Sequence, residues 1–307
     1  MNDSGNSHLD KLADDIRALK AERRAVILAH NYQRPEVQDV ADFTGDSLGL
    51  SQEAAGTDAD VIIFCGVHFM AETAYVLSPQ KTVILPDLRA GCPLADTIKA
   101  SDVRDLRAAH PGAPVVSYVN TSAAVKAESD LCCTSANAIQ VVESLPDRKV
   151  IFVPDENLGR YVQKHTDKEI VIWPGTCVTH HRILAESILR LKAEHPQAVF
   201  MAHPECTPDV VDLADEVAST SGMIRLASRL GSEEFIVGTE VGMLYPLKRA
   251  NPGKRFYPVP EALCPNMKRI NLNKVFISLR DLEPKITVPE ETRLAALKAV
   301  KKMIAIT

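Results

Sequence analysis

The chain has 307 residues, 46% apolar and 24% charged, the balance of a soluble globular protein with room for two or three small cores. A formal net charge of −5, with no block of Lys or Arg to offset it, argues against nucleic acid or an anionic membrane surface as partner. The apolar runs are far too short to span a membrane, and the segment from Met1 to Ser7 has neither the basic nor the apolar region of a secretory signal. Seven cysteines, an odd number without any Cys-x-x-Cys pair, fit no secreted disulfide framework, so a cytoplasmic protein with reduced thiols is expected.

Taken in chain order, residues 9–22 carry Leu9, Leu12, Ile16 and Leu19 at helical spacing and lead into a strand at 25–29. A helix over 47–55 follows, then a strand at 61–65, a helix over 70–77 and a strand at 82–86. The second stretch answers with a helix at 102–109, a strand at 115–119, a helix at 135–145, a strand at 149–153, a helix at 157–164 and a strand at 169–173. The third answers with 181–194, 198–202, 221–230, 234–238, 241–250 and 254–258 in the same alternation. The strands are short and continuously apolar, as in parallel sheets covered by helices on both faces. The expected fold is therefore α/β: three Rossmann-like αβα repeats with parallel sheets arranged about a pseudo-threefold axis. The divisions fall at 1–92, 93–177 and 178–264. The tail, 265–307, contains the run Lys274–Ser278 and an amphipathic segment after Pro289 (Leu294, Leu297, Val300, Ile304) read as a closing helix.

The repeats carry matching polar groups. The first strands end at His30, Tyr118 and His203, each with a second polar residue two positions on: Tyr32, Asn120 and Glu205. Seventeen residues after the first group stands a hydroxyl (Ser47, Ser135, Thr220), and 62, 59 and 61 residues after it stands a cysteine (Cys92, Cys177, Cys264). A period of 85–88 residues kept through all these positions marks an internal repeat. In parallel sheets ligands sit beyond the carboxyl ends of the strands, which is where the polar pairs lie.

Each residue alone has a plainer reading. Ser47, Ser135 and Thr220 precede helical stretches and would serve as N-caps, although three helix N-termini aimed at one cavity also make an anion site. A single histidine at a strand end is more often structural, and a single cysteine is usually a small buried hydrophobe. That reading fits Cys65 in a strand, and Cys132 and Cys133 at the head of a helix. Cys206 competes as a ligand, but its counterparts are Gln33 and Thr121. Cys92, Cys177 and Cys264 instead follow the last strand of each repeat in Gly- or Pro-marked loops, where a ligand is within reach. Three converging thiolates suit zinc or an iron–sulfur cluster, and in a four-iron cluster they leave one iron without a protein ligand.

As a group, the motifs Ala29-His-Asn-Tyr-Gln33, Gly45-Asp-Ser47, Tyr118-Val-Asn120, Thr134-Ser-Ala-Asn137, His203-Pro-Glu205, Ser219-Thr-Ser-Gly222 and Cys264-Pro-Asn-Met-Lys268 resemble those of quinolinate synthase, in its compact three-cysteine form, over nearly the whole chain. The resemblance implies a [4Fe–4S] cluster on Cys92, Cys177 and Cys264. It implies condensation of iminoaspartate with dihydroxyacetone phosphate to quinolinate, with loss of phosphate and two waters, in NAD biosynthesis. Substrate contacts carry over to His30, Ser47, Tyr118, Asn120, Ser135, His203, Glu205 and Thr220, and catalytic roles to Glu205, His203, Tyr32 and Tyr118. An aspartate oxidase or dehydrogenase that supplies the imine is the partner implied. The rival readings are a hydro-lyase of aconitase type, an iron–sulfur sensor or carrier, and a three-repeat protein without metal.

Overall fold

The computed structural model describes residues 3–306. The first unit runs α1 (Asp3–Glu22), β1 (Ala25–His30), α2 (Pro35–Val40), β2 (Phe43–Gly45), α3 (Ser47–Gly56), β3 (Val61–Cys65), α4 (His68–Leu77) and β4 (Thr82–Ile84). The second runs α5 (Ala100–Ala109), β5 (Val115–Tyr118), α6 (Ala123–Ala127), β6 (Leu131–Cys133), α7 (Ala138–Glu143), β7 (Lys149–Val153), α8 (Glu156–Lys164) and β8 (Glu169–Ile172). The third begins with a short helix and runs α9 (Val178–His181), α10 (Ala185–Glu194), β9 (Val199–Ala202), α11 (Pro208–Val211), β10 (Glu216–Val217), α12 (Thr220–Arg229), β11 (Glu234–Gly238), α13 (Leu244–Ala250) and β12 (Arg255–Pro258). Two tail helices follow, α14 (Leu272–Asp281) and α15 (Glu290–Ala305).

Each unit builds one four-stranded, fully parallel sheet with the same strand order: β2-β1-β3-β4, β6-β5-β7-β8 and β10-β9-β11-β12. The expected α/β class and its threefold repetition are therefore present, but each sheet has four strands where the sequence pattern gave three. The additional strands are β2, β6 and β10. They are only two or three residues long, too short for a periodic signal, and β2 has an exposed phenylalanine at 43. Cys132 and Cys133 lie on β6, not at a helix head, and α7 starts only at residue 138.

The repetition reaches residues with no role in a site. Asp42, Asp130 and Asp215 each precede the short second strand, and each accepts the backbone N–H of the neighbouring first strand at 2.8 Å, from Ile27, Val115 and Phe200. Lys81, Lys168 and Lys254 each donate to backbone carbonyls at or just beyond the end of the helix that leads into the third strand, α3, α7 and α12. These bonds satisfy main-chain groups at matched edges of each unit, which keeps the unit's dimensions constant.

The central strands are fully buried: Ile27, Ile62, Val116, Ile151, Phe200 and Ile236 are all at 0% exposure. One large apolar cluster joins all three units and the tail, and two smaller ones sit in the second and third units. The tail does more than close the molecule. Its first helix, α14, packs on α1, and the segment beyond it runs along β4, where Ile286 donates to Val83 at 2.8 Å. The second, α15, packs on α6, β6 and α4, tying the second unit to the first. Asn137 donates to the carbonyls of Met303 and Ile306 at its end. No helix among the described residues is long and apolar enough to cross a membrane.

Candidate active site

Strand order 2-1-3-4 places a reversal between the first and third strands of each sheet, and a crevice opens there at the carboxyl edge. The three crevices face one another across a cavity of about 100 Å³. His30 ends β1, Tyr118 ends β5 and His203 follows β9 directly, so each unit delivers its polar pair to the cavity wall. Tyr32, Asn120 and Glu205 line it with them, as do Ser47, Ser135, Thr220, Cys92, Cys177 and Cys264.

The two strand-end histidines are held in the same way. The backbone N–H of Tyr32 donates to His30 Nδ1 at 3.1 Å, and that of Glu205 donates to His203 Nδ1 at 3.3 Å. An accepting Nδ1 puts the ring proton on Nε2. Burial lowers His30 to about 4, with Asp46 and Glu205 opposing; burial and the neighbouring His180 lower His203 to about 3. Both are neutral Nε2–H donors at neutral pH.

His180, on α9, is the residue that repeat symmetry does not reveal. Its Nδ1 stands 2.6 Å from Glu205 Oε2, its Nε2 2.8 Å from Thr239 Oγ1, and its ring stacks on His203 with centroids 4.5 Å apart. The Tyr32 hydroxyl lies 2.6 Å from the same Thr239 oxygen, so Tyr32, Thr239, His180 and Glu205 form one buried hydrogen-bonded chain. Burial pushes Glu205 up, but attraction and hydrogen bonding to His180, with His203 and Tyr118 adding to them, outweigh it and hold the carboxyl below the usual carboxylate range. Burial, then the charge of Glu205, raises Tyr32 and Tyr118 well above the ordinary phenol range, so both remain protonated donors. Asn120 donates to Glu205 Oε1 at 3.3 Å, while its own Oδ1 is buried without a partner. An orphaned acceptor in a cavity wall awaits an N–H or O–H from a ligand.

The hydroxyls are not the helix caps that the sequence suggested. Asp46 caps α3 by accepting from Gly49, and Ser219 caps α12 by accepting from Gly222. Ser47 and Thr220 are the next residues along, the first of their helices, and their side chains are spared for the cavity. Thr220 accepts from Asn31 at 2.9 Å. Ser135 stands three residues before α7, whose N-cap is Asn137, so of the three hydroxyl-bearing helix starts those of α3 and α12 border the cavity and that of α7 does not. Alanine at Ser47 is therefore expected to raise the Michaelis constant with little change in melting temperature. Asp46→Ala, in contrast, should cost the ~1 kcal/mol of a lost cap. Paired kinetics and thermal melts check this, and unchanged kinetics in the Ser47, Ser135 and Thr220 variants would remove substrate binding from these hydroxyls.

Four of the seven cysteines are fully buried in the core, including Cys206, whose Sγ donates to the Gly238 carbonyl; Cys92, Cys177 and Cys264 are partly exposed. Each of these three lies in the loop beyond the last strand of a different sheet, and none is in a disulfide. Backbone N–H groups point at the sulfurs: from Leu94 and Ala95 to Cys92, from His180 to Cys177, and from Asn266 and Met267 to Cys264. Burial raises all three thiols, Cys92 to about 12, and nearby negative charge raises them further. Such thiols stay protonated without a cation, and metal binding would deprotonate them. Among the described residues, the set of three potential ligands whose atoms all lie within 4.8 Å of one another is Cys177, His180 and Glu205.

The neutral histidines also set an acid response. An unfolded chain protonates His30 and His203 near 6.5, and the folded chain does so only near 4 and 3. The unfolded state thus binds more protons below pH 6.5, and stability falls as pH drops through that window by up to ~1.4 kcal/mol per unit for each ring. Metal-free protein is expected to melt lower at pH 5 than at pH 7, with the difference reduced in a His30→Gln/His203→Gln variant. Equal pH dependence in the two proteins would show that other groups carry the effect.

Acid–base groups and three cysteines thus line one buried cavity at the carboxyl edges of three similar sheets, the arrangement of a three-unit α/β enzyme. The family model for quinolinate synthetase A protein matches residues 14–305. The quinolinate synthase of Desulforudis audaxviator is 56% identical over 299 residues, covering 97% of this chain and 99% of that protein. That of Geobacter metallireducens is 57% identical over 298 residues, covering 97% and 98%. Quinolinate synthase 1 of Methanosarcina acetivorans is 56% identical over 292 residues, covering 95% and 96%. The chain belongs to the quinolinate synthase family, whose members serve NAD biosynthesis.

Proposed function

We propose that the protein condenses iminoaspartate with dihydroxyacetone phosphate to quinolinate, releasing phosphate and two waters, with a [4Fe–4S] cluster held by Cys92, Cys177 and Cys264. The observation that carries this reading is the convergence, on one cavity, of the three partly exposed cysteines with His30, His203 and Glu205. The donor set fits the cluster: three soft sulfurs from three sheets, each met by backbone N–H groups as cluster thiolates are. Held by Cys92, Cys177 and Cys264, such a cluster would supply a Lewis acid for loss of hydroxide.

The chain's own residues account for the remaining chemistry. Both substrates are anions, and the Nε2–H groups of His30 and His203, with the first turns of α3 and α12, offer donors to carboxylate and phosphate. The free Oδ1 of Asn120 accepts the N–H of an imine or enamine and fixes the face it presents. Enamine formation, isomerisation and dehydration each move a proton, and the Glu205–His180 pair passes it between carboxylate and imidazole. Tyr32 and Tyr118, kept protonated, donate to developing negative charge. An aspartate oxidase or dehydrogenase would supply the unstable imine to this site.

Iron and sulfide analysis of anaerobically purified protein, with quinolinate formation assayed from the two substrates, tests the reading. Roughly four irons and four sulfides per chain, with turnover dependent on dihydroxyacetone phosphate, are expected. A dianion carrying two adjacent carboxylates should compete with substrate and perturb the iron spectrum. The Cys177, His180 and Glu205 grouping favours a second reading, a single metal ion on those three residues. One metal per chain without sulfide would favour that alternative and sink the cluster.

A further inference from the structure

Beyond the ligands and the reacting groups, the structure contains a matched device behind each cysteine. In every sheet the third strand leads, six residues after its start, to the N-cap of the next helical turn: Val67, Asp155 and Glu240. The backbone N–H that follows each cap donates to the carbonyl two residues before the cysteine. The pairs are His68 to Ala90 at 2.8 Å, Glu156 to Gly175 at 2.6 Å and Val241 to Ala262 at 2.9 Å. All three cysteine loops are thus pinned once by main chain.

Two of them are pinned again. Asp155 accepts from Leu158 through Oδ1 at 2.7 Å and from the Cys177 N–H through Oδ2 at 3.2 Å. Glu240 accepts from Gly242 through Oε2 at 2.7 Å and from the Cys264 N–H through Oε1 at 3.1 Å. Both carboxylates are at 0% exposure. Glu240 also takes Lys268 at 3.0 Å, from the loop just beyond Cys264. Val67, buried at the third equivalent place, offers Cys92 no acceptor. The Cys177 loop is also closely packed at Gly175, where a Cβ would collide with the Pro154 carbonyl and with Thr97 Oγ1.

We propose that Asp155 and Glu240 are positioning residues that set Cys177 and Cys264 in their ligating geometry before any metal arrives, leaving Cys92 as the adaptable third ligand. The proposal rests on the cluster reading for its purpose but not for its geometry. One oxygen of each carboxylate holds the helix start, and the other holds the cysteine amide. Ligands fixed in advance do not have to be ordered when the metal binds, and supporting partners of this kind raise affinity ~10–100-fold.

Asp155→Ser separates the two jobs. Serine still caps α8 through Leu158 but is too short to reach the Cys177 amide as well. Hydrogen–deuterium exchange of metal-free protein should then show faster exchange in the peptide spanning Cys177, with the α8 peptide unchanged. Reconstituted Asp155→Ser and Glu240→Ala should lose iron to a chelator ~10–100-fold faster than the parent, while Val67→Ala should behave like the parent. Parental exchange at Cys177 together with parental iron release would overturn the proposal, as would an equal effect from Val67→Ala. A parent that binds no iron would defeat the cluster reading alone. In that case faster exchange at Cys177 in the serine variant would still uphold the clamp, and unchanged exchange would overturn it. Should Glu240→Ala fail to fold, the Asp155→Ser pair of measurements decides the matter.

Discussion

Alanine in place of Cys92, Cys177 or Cys264 is expected to abolish iron binding and, with it, quinolinate formation. Each substitution removes one of three sulfurs drawn from three different sheets, so no neighbouring thiol can move in. The loss should exceed the ~10–100-fold in metal affinity that follows removal of an outer-shell partner. Cys65→Ala, Cys132→Ala and Cys206→Ala are expected to keep iron, because these sulfurs are buried away from the cavity in strands and core. Their cost should appear as stability. Iron analysis and an absorption spectrum of each anaerobically purified variant provide the check. Parental iron in any member of the first set, or loss of iron in Cys206→Ala, contradicts the ligand assignment.

The second large effect belongs to the Glu205–His180 pair. Glu205→Gln keeps the size of the side chain and a hydrogen-bonding head while removing its charge and basicity. Iron content is expected to be normal and the Michaelis constants near those of the parent, with turnover reduced ~10²–10⁴-fold. His180→Gln breaks the same 2.6 Å contact from the other side and should fall in a similar range. If the two act as one proton-carrying unit, the double variant should be scarcely worse than either single one, since groups that act together are far from additive. A Glu205→Gln protein within a few-fold of the parent rate would remove the carboxylate from the proton transfers. Fully additive losses would show that the two residues work separately.

The contrast between His203 and His180 shows what a sequence with internal repetition discloses. His203 has His30 and Tyr118 as counterparts at a fixed spacing, because each ends or follows the first strand of a sheet built to the same dimensions. The cysteines are legible for the same reason: the path from first strand to last loop has nearly constant length. His180 has no such counterpart, since the residues three beyond Cys92 and Cys264 are Ala95 and Met267. Its signal was local, a Cys177-x-x-His180 spacing that one helical turn, α9, folds onto a single face. Asp155 and Glu240 carry no repeat signal, because Val67 breaks the pattern at the third position. The two- and three-residue strands β2, β6 and β10 have too few residues to show any period, which is why the sequence pattern does not place Cys132 and Cys133 on a strand. Capping failed by a single step: Asp46 and Ser219, not Ser47 and Thr220, accept the helix N–H groups, and a one-residue shift decides which oxygen faces a ligand.

That the thiols come one from each sheet sets the timing of maturation. A nascent chain that has completed two sheets presents two sulfurs, and the third lies near the end of the last unit, at residue 264 of 307. Iron offered before the third sheet has docked meets an incomplete and open set of ligands, from which it is easily lost. If the proposed cluster sits on these three sulfurs, its loading would follow synthesis and folding, and a cell short of iron would accumulate a folded precursor that can be charged later without new translation.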